Sequence, residues 1–382
     1  MGMHWRMILV LLMSLGLLEA GCASTSTGAP VLSPRQESRE ALAMLGDLRA
    51  KAIEQILASS RSKDPFQRAN AIEASQALPQ RVIPFVQLGM DDPNPAVRFV
   101  ALATIGKLKL REVAPGARRL LNDPNPSVRA AAMFALRNCG QKVDISPMSA
   151  LLLGQDPHTR SNVAMLMGWM GDKSAVPLLK DAARVPMPLA SEVEAALVRL
   201  QIAEAILRLG DNSVIDSARA ALYSQFDEVR VLAVGIIGEI GDERFASALV
   251  PMLNGPPVEI RVAAAASLAE LGHPDGLKVV LGALATPISA VRAQAAMALS
   301  RFADVQASQA LGRLLDDPSE QVRLAAAAAI VKALNRARGQ AVGGEGRGGR
   351  CPPYQARTPG LGPQRQGRAS GESTILAAEG GG

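Results

Sequence analysis

The stretch DPNPAVRFVALATIGKL, beginning at Asp92, returns 31 residues later as DPNPSVRAAAMFALRNCG, beginning at Asp123. A catalytic motif is normally written once, because one reaction needs one nucleophile or one metal cage. A phrase that returns at a fixed period builds a stack. With the arginine of the phrase as marker, the period runs through Arg68, Arg98, Arg129, Arg160, Arg199, Arg230, Arg261, Arg292 and Arg323. The spacings are 30, 31, 31, 39, 31, 31, 31 and 31, so nine units hold one register and a single insertion falls around residues 185–196.

Each unit reads as two helices. The marker helix opens on a turn such as DPNP or DDPSE, where Asp can cap and Pro suits the first helical turn. In five units it closes on a glycine eleven residues past the marker (Gly140, Gly171, Gly210, Gly241, Gly272), the position of a left-handed C-terminal cap. Asp172, Asp211 and Asp242 follow and are placed to cap the next, shorter helix. Along the marker helix, positions −1, +3, +7 and +10 fall on one arc at helical pitch. They are mostly apolar, as in Val97, Ala101, Ile105 and Leu108, or Ile260, Ala264, Leu268 and Leu271. Helix pairs this short cannot bury a core alone, but stacked pairs share one.

The pattern D-P-x-x-x-V-R-x-x-A-A-x-A-L-x-x-x-G-D resembles the short HEAT-like repeats of the phycobilisome-lyase type, over about residues 38–337. The resemblance implies an all-α fold, a right-handed α-solenoid of about nine two-helix repeats. At roughly 10 Å per layer, that is a curved rod on the order of 90 Å long. Its last marker helix is expected to leave an Ala-rich face partly open. Because such repeats serve scaffolds, lyase subunits and metalloenzymes alike, the resemblance speaks for fold far more than for activity.

The repeated arginine sits at the edge of the buried arc. Asp92, Asp123 and Asp317 lie six residues before Arg98, Arg129 and Arg323. A structural ladder is therefore expected, in which these acids and Arg98, Arg129, Arg230, Arg261, Arg292 and Arg323 fix helix pairs to each other.

The two ends read differently. Residues 1–21 carry Arg6 ahead of the apolar run Met7–Leu18, too short to span a bilayer, where roughly 20 residues are needed, but of secretory-signal length. The run ends in Ala20-Gly21-Cys22, which resembles the bacterial lipoprotein signal, although Glu19 stands where an apolar residue is usual. That resemblance implies lipidation at Cys22 and, since Ala23 is not an inner-membrane retention aspartate, an outer-membrane anchor facing the periplasm. Ordinary cleavage to a soluble periplasmic protein is the alternative. Residues 22–37 are rich in Ser, Thr and Pro and read as a tether. Residues 338–382 are dominated by Gly, Pro and Arg and have no periodic apolar face.

Composition narrows the function. The net charge is +6, but removing both ends leaves 34 basic against 31 acidic residues, which argues against nucleic acid as the partner. The three cysteines give no disulfide framework, and Cys139 falls at the +10 core position. Deoxyhypusine hydroxylase, built from similar repeats, holds two irons with His-Glu pairs. Here the histidines are only His4, His158 and His273, and none precedes a Glu, so no metal is expected. No phosphate loop, nucleophile elbow or His-based triad is present, so no catalytic residue and no cofactor are assigned.

The expected function is non-enzymatic: a scaffold that binds a protein partner. The alternatives are a lyase-like or cofactor-handling protein and a purely structural envelope spacer. Marker-helix positions +2, +5 and +9 lie opposite the core, and most carry polar or small residues such as Gln201, Glu204 and Arg208. Phe134, Met165 and Trp169 occupy the same arc in neighbouring repeats and read as an exposed apolar patch, the kind that marks interfaces. Met297 with Gln294 and Arg301 forms a second candidate. If Cys22 carries the anchor, Cys22→Ser should move the protein from the membrane to the soluble fraction, and unchanged fractionation would remove the anchor from consideration.

Overall fold

The structure, a computed structural model, describes residues 34–342 except Pro256 and Ala303. The signal segment 1–21, Cys22 and the tail beyond 342 lie outside the described residues. Helices α1 to α17, numbered in chain order, form two layers. The marker helices are α2 (Pro65–Ser75), α4 (Pro95–Leu108), α5 (Pro126–Asn138), α7 (Pro157–Met170), α9 (Glu192–Arg208), α11 (Asp227–Ile240), α13 (Val258–Glu270), α15 (Ser289–Leu299) and α17 (Glu320–Val342). Their partners are α1 (Pro34–Ser59), α3 (Val82–Met90), a 3-10 stretch (Ala114–Asn122), α6 (Pro147–Leu152), α8 (Val176–Arg184), α10 (Ile215–Ala221), α12 (Ala246–Leu249), α14 (Leu277–Ala283) and α16 (Val305–Leu314). The repeat solenoid is all-α. Helix starts four residues before the expected boundary at 38, so the end of the tether is helical, and α17 runs five residues past 337.

The caps are those the repeat demands. Asp64, Asn94 and Asn125 accept backbone N–H groups at the starts of α2, α4 and α5, each ahead of a Pro in the first turn. Asp172, Asp211 and Asp242 do the same for the short helical turns that follow the glycines. All five predicted cap glycines take left-handed φ, between 71° and 88°. Lys109, at the same register in a repeat without the glycine, is forced to φ 53°, which costs more for a residue with a Cβ. The core arc is buried nearly as expected: Val97, Ala101, Ile105, Ala264, Leu268 and Leu271 lie within the continuous apolar core and Ile260 is buried, while Leu108, at the end of its helix, is only partly buried against that core. Cys139 is buried there too, its Sγ 3.6 Å from the Ile105 carbonyl oxygen, and burial raises its thiol pKa.

The open rod is not what forms. Each marker helix packs on the next, and α17 packs on α15, on α1 and on α2, while α1 also packs on α16, so the ninth repeat meets the first and the solenoid closes into a ring. At this seam Lys51 Nζ lies 2.7 Å from Asp316 Oδ1, Ser62 donates to Glu320, and the Asn335 amide donates to the Ala77 carbonyl at 2.6 Å. Gly312 lets Leu48 close in: an added Cβ would stand 3.0 Å from Leu48 Cδ1. The Ala-rich face of α17, expected to stay partly open, is covered, with Ala326, Ala327, Ala329 and Ile330 fully buried. Open ends expose apolar repeat faces; the 26-residue α1 and 23-residue α17, the longest helices, remove both ends at once.

The arginine ladder exists, with a different wiring from the expected one. Each carboxylate is bound by the arginine of the preceding repeat: Arg68 to Asp92 (2.7 and 2.8 Å), Arg98 to Asp123 (2.8 and 3.0 Å) and Arg292 to Asp317 (2.9 and 3.0 Å). Each is a bidentate pair of the strong kind. The arginine six residues later instead donates to the backbone, as Arg98 to the Asp92 and Pro93 carbonyls, Arg129 to Asp123 and Pro124, and Arg323 to Asp317 and Pro318. For Arg230 and Arg261 the next repeat places Gly255 and Thr286 where the carboxylate would stand, so they keep the backbone contact, to the Ser224 and Gly255 carbonyls, and Arg230 also pairs with Asp227 within its own helix. Arg160, fully buried, turns instead to the Ala182 and Val185 carbonyls at the end of α8 and ties down the start of the 185–196 insertion.

Two predictions follow from the packing. A zero-length carbodiimide cross-linker should join peptides bearing Lys51 and Asp316 within one chain, a product that an open rod cannot give. Asp123→Ala should cost about 3 kcal/mol by leaving Arg98 half-buried without its partner, against no more than about 0.5 kcal/mol for the exposed Asp216→Ala.

Acid stability carries a sign that can be worked out. At Asp92 and Asp317 burial pushes the pKa up, but the Arg68 and Arg292 bonds, with the Asn94 and Ser319 N–H groups, bring it below the ordinary value. Asp211 is held at about 2 by hydrogen bonds from Lys180 and from Ser213. Folded pKa values below the unfolded value of about 4 mean stability that is present above it and lost as pH falls through the folded pKa. Denaturation midpoints should therefore drop from about pH 4 downwards, and Asp211→Asn should flatten the lower part of that fall.

Candidate functional site

Closure gives the ring an inner wall, and the marker helices line it. Neighbouring axes about 10 Å apart place nine of them on a circle of about 15 Å radius. Taking off the roughly 5–6 Å half-width of a helix with side chains leaves a channel of about 9 Å radius before the longest side chains fill it. Position +9 falls within the last turn of the inner helix or just past it in the first eight repeats and inside the longer α17 in the ninth, and one collar collects Ala77, Lys107, Asn138, Trp169, Arg208, Glu239, Glu270, Arg301 and Lys332. Six of the nine are charged.

The contacts confirm the convergence. Lys107 Nζ sits 5.0 Å from the centroid of the Trp169 ring, two marker helices away, in a cation-π arrangement. Arg208 bridges Glu204 (2.9 Å) and Glu239 (2.7 Å), and Gln201 donates to the other Glu204 oxygen at 2.7 Å. The nearly buried Glu204 thus has charged and neutral donors, as a carboxylate at that depth requires. Arg301 (2.8 Å) and Arg336 (3.0 Å) both donate to the same oxygen of Glu270. Lys332 completes the arc: burial is the largest influence lowering its pKa, Glu73 opposes it, and Arg301, Lys107 and Arg336 add to it. Lys107 and Lys332, 225 residues apart in sequence, share one electrostatic environment because the ring is closed.

Between α11, α13 and α15 the wall opens into a cleft of about 250 Å³. Small residues at the +2 and +5 positions, Gly235, Ala263 and Ala266, make its floor, and Met297, Glu239, Glu270 and Arg301 stand around it.

The predicted partner residues divide accordingly. Gln201 and Arg208 belong to the inner-wall network, and Met297 and Arg301 line the cleft. Trp169 and Met165 are half-buried on the same wall. Phe134 is not exposed at all: its ring packs over Gly106, where any Cβ would lie 2.4 Å from it, and its centroid is 6.1 Å from that of Trp169. Closure crowds the concave face, and a large +5 side chain fills the space left by Gly106 rather than meeting solvent. The exposed triad is therefore one half-buried Trp and one half-buried Met over a core Phe. Lys107, Glu239, Glu270 and Lys332 went unread although they share the +9 register of Trp169 and Arg208; Arg336 lies one turn further along α17. Among the described residues no three His, Cys, Asp or Glu side chains gather as for a metal, and no helix is long and apolar enough to cross a membrane.

Stacked two-helix repeats with this register define a class of protein, the α-solenoid repeat proteins. The family is HEAT repeats: its model matches residues 82–155, 114–197 and 246–331, together more than half of the chain, and the protein belongs to it. Comparison with curated proteins finds no match. Among solved structures, the chain is similar to human deoxyhypusine hydroxylase (18% identity, 79% of this chain and 98% of that one, TM-score 0.35). It is also similar to the CpcE–CpcF complex of phycocyanin lyase from Nostoc sp. PCC7120 (15% identity, 83% and 99%, TM-score 0.32) and to Kap121p (14% identity, 72% and 37%, TM-score 0.32). No functional conclusion rests on overlays that distant.

Proposed function

We propose that the protein is a non-enzymatic scaffold that binds a polypeptide partner along the inner wall of the ring, and that Cys22 anchors it to the bacterial outer membrane on the periplasmic side. The anchor rests on the sequence of the first 22 residues. The binding reading rests on one observation, the convergence of charged side chains and Trp169 on a single collar. Side chains in water gain little from mutual ion pairs, whereas a ring of them around an enclosed channel is positioned to exchange solvent for a ligand's charges. The channel dimensions favour an extended strand or a single helix over a folded domain, whose radius of gyration alone is about 13 Å at 100 residues.

A lyase-like or cofactor-handling protein would use the α11–α13–α15 cleft for a small molecule instead. A photo-cross-linking residue at Met297 (inner wall) and, separately, at Tyr223 (outer surface, 72% exposed) decides between the readings. In cells, Met297 should give discrete protein adducts and Tyr223 none. Adducts from Tyr223 alone would move the partner to the outer face, and a purified protein carrying a chromophore with no adduct at either position would favour the small-molecule reading.

A further inference from the structure

Taking the inner wall as the binding surface, we infer that the basic arc formed by Lys332, Lys107, Arg301 and Arg336 beside Trp169 recognises the carboxylates of an extended, acidic segment of the partner polypeptide inserted into the ring.

The collar is not uniform. On one side Arg208 is spent between Glu204 and Glu239. On the other, four cations face two acids, Glu73 and Glu270. Arg301 and Arg336 share a single Glu270 oxygen, and Arg301 also donates to the Met297 carbonyl, so two forks of five N–H donors each are held by two acceptors and most of their donors remain to be used. Among the described residues Lys332 forms no ion pair, although it sits inside the ring with three other cations around it. Like charges confined at low local dielectric repel one another strongly, and an incoming anion relieves that repulsion as well as gaining its own hydrogen bonds.

Geometry selects the form of the anion. The cations come from separate elements, Lys107 in the last turn of α4, Arg301 just past α15 and Lys332 and Arg336 within α17, so carboxylates spaced along an extended chain reach more of them than one small anion does. Trp169, with Lys107 over its ring, offers an apolar face to the segment's backbone or stems at the edge of the same arc. A basic segment would meet the wrong sign here, which gives the ring a means of rejecting partners as well as choosing them.

The test uses the full chain carrying Trp5→Phe, so that Trp169 is the only indole. Titration with a short oligoglutamate peptide should change Trp169 emission saturably and more weakly at high salt, while oligolysine and oligoglutamine peptides should not. Lys332→Met and Arg301→Gln should each weaken oligoglutamate about ten-fold or more, Lys332→Arg should retain it, and Lys278→Met on the outer α14 should leave it unchanged. Melting temperatures of all variants serve as the fold control, and Lys332→Arg keeps the test valid if Lys332→Met is unstable. Equal response to all three peptides, an unchanged affinity in a folded Lys332→Met, or an equal response to inorganic phosphate at the same charge concentration would each overturn the inference. If Met297 adducts form in cells and oligoglutamate fails to bind, the scaffold reading stands and the acidic-segment reading falls.

Discussion

The packing of α1 against α16 and α17 is the constraint on which the rest depends. Curvature in a solenoid is the sum of a small rotation per repeat, and nine repeats that return to their start turn by about 40° each. The +3 residue is a fully buried alanine in seven of the nine repeats, Ala71, Ala101, Ala132, Ala233, Ala264, Ala295 and Ala326, a size that lets neighbouring inner helices approach closely. Because the last repeat docks on the first, an error in any one interface is felt at the seam. The structure therefore acts as one cooperative body, where an open array would tolerate local change.

Closure also explains where the ion pairs are found. On the rim that carries the N-terminal ends of the marker helices, Arg68–Asp92, Arg98–Asp123 and Arg292–Asp317 lock one repeat to the next in half-buried surroundings, where a bidentate pair with its backbone bonds satisfied is worth keeping. The three sit in the first two repeats and the eighth, flanking the seam on both sides. In the middle of the chain the acid is absent and the arginine serves only its own loop, and there the insertion at 185–196 is accommodated by Arg160, whose guanidinium replaces a missing carboxylate with two helix-end carbonyls. The tightest wiring therefore falls where the ring must meet itself.

At the opposite rim the same register serves a different purpose. Position +9 carries Lys, Arg, Glu, Trp, Asn and Ala, and only Ala77 and Trp169 among them pack against the apolar core. What matters there is the sum of charges around the collar. Arg208 between two glutamates and Glu270 between two arginines leave one arc with an excess of acid and the other with an excess of base. An inner wall that is fixed in position and unbalanced in charge is prepared for a ligand before the ligand arrives, which lowers the ordering cost of binding.

The period, the two-helix unit, the glycine caps, the aspartate caps and the buried arc were all legible in the sequence, since each depends on residues within one repeat and on the 3.6-residue pitch. Gly140, Gly171, Gly210, Gly241 and Gly272 took left-handed φ because no neighbour beyond the helix end has a say in it. Which carboxylate each arginine binds was misread, because the pairing crosses between repeats. The burial of Phe134 was hidden for the same reason, since it depends on Gly106 in the repeat before. The ring itself, and with it the meeting of Lys332 with Lys107, was decided by tertiary structure alone: a per-repeat rotation of a few degrees more or less, set by side-chain volumes at eight interfaces, separates an open arc from a closed one, and no single stretch of sequence records that sum.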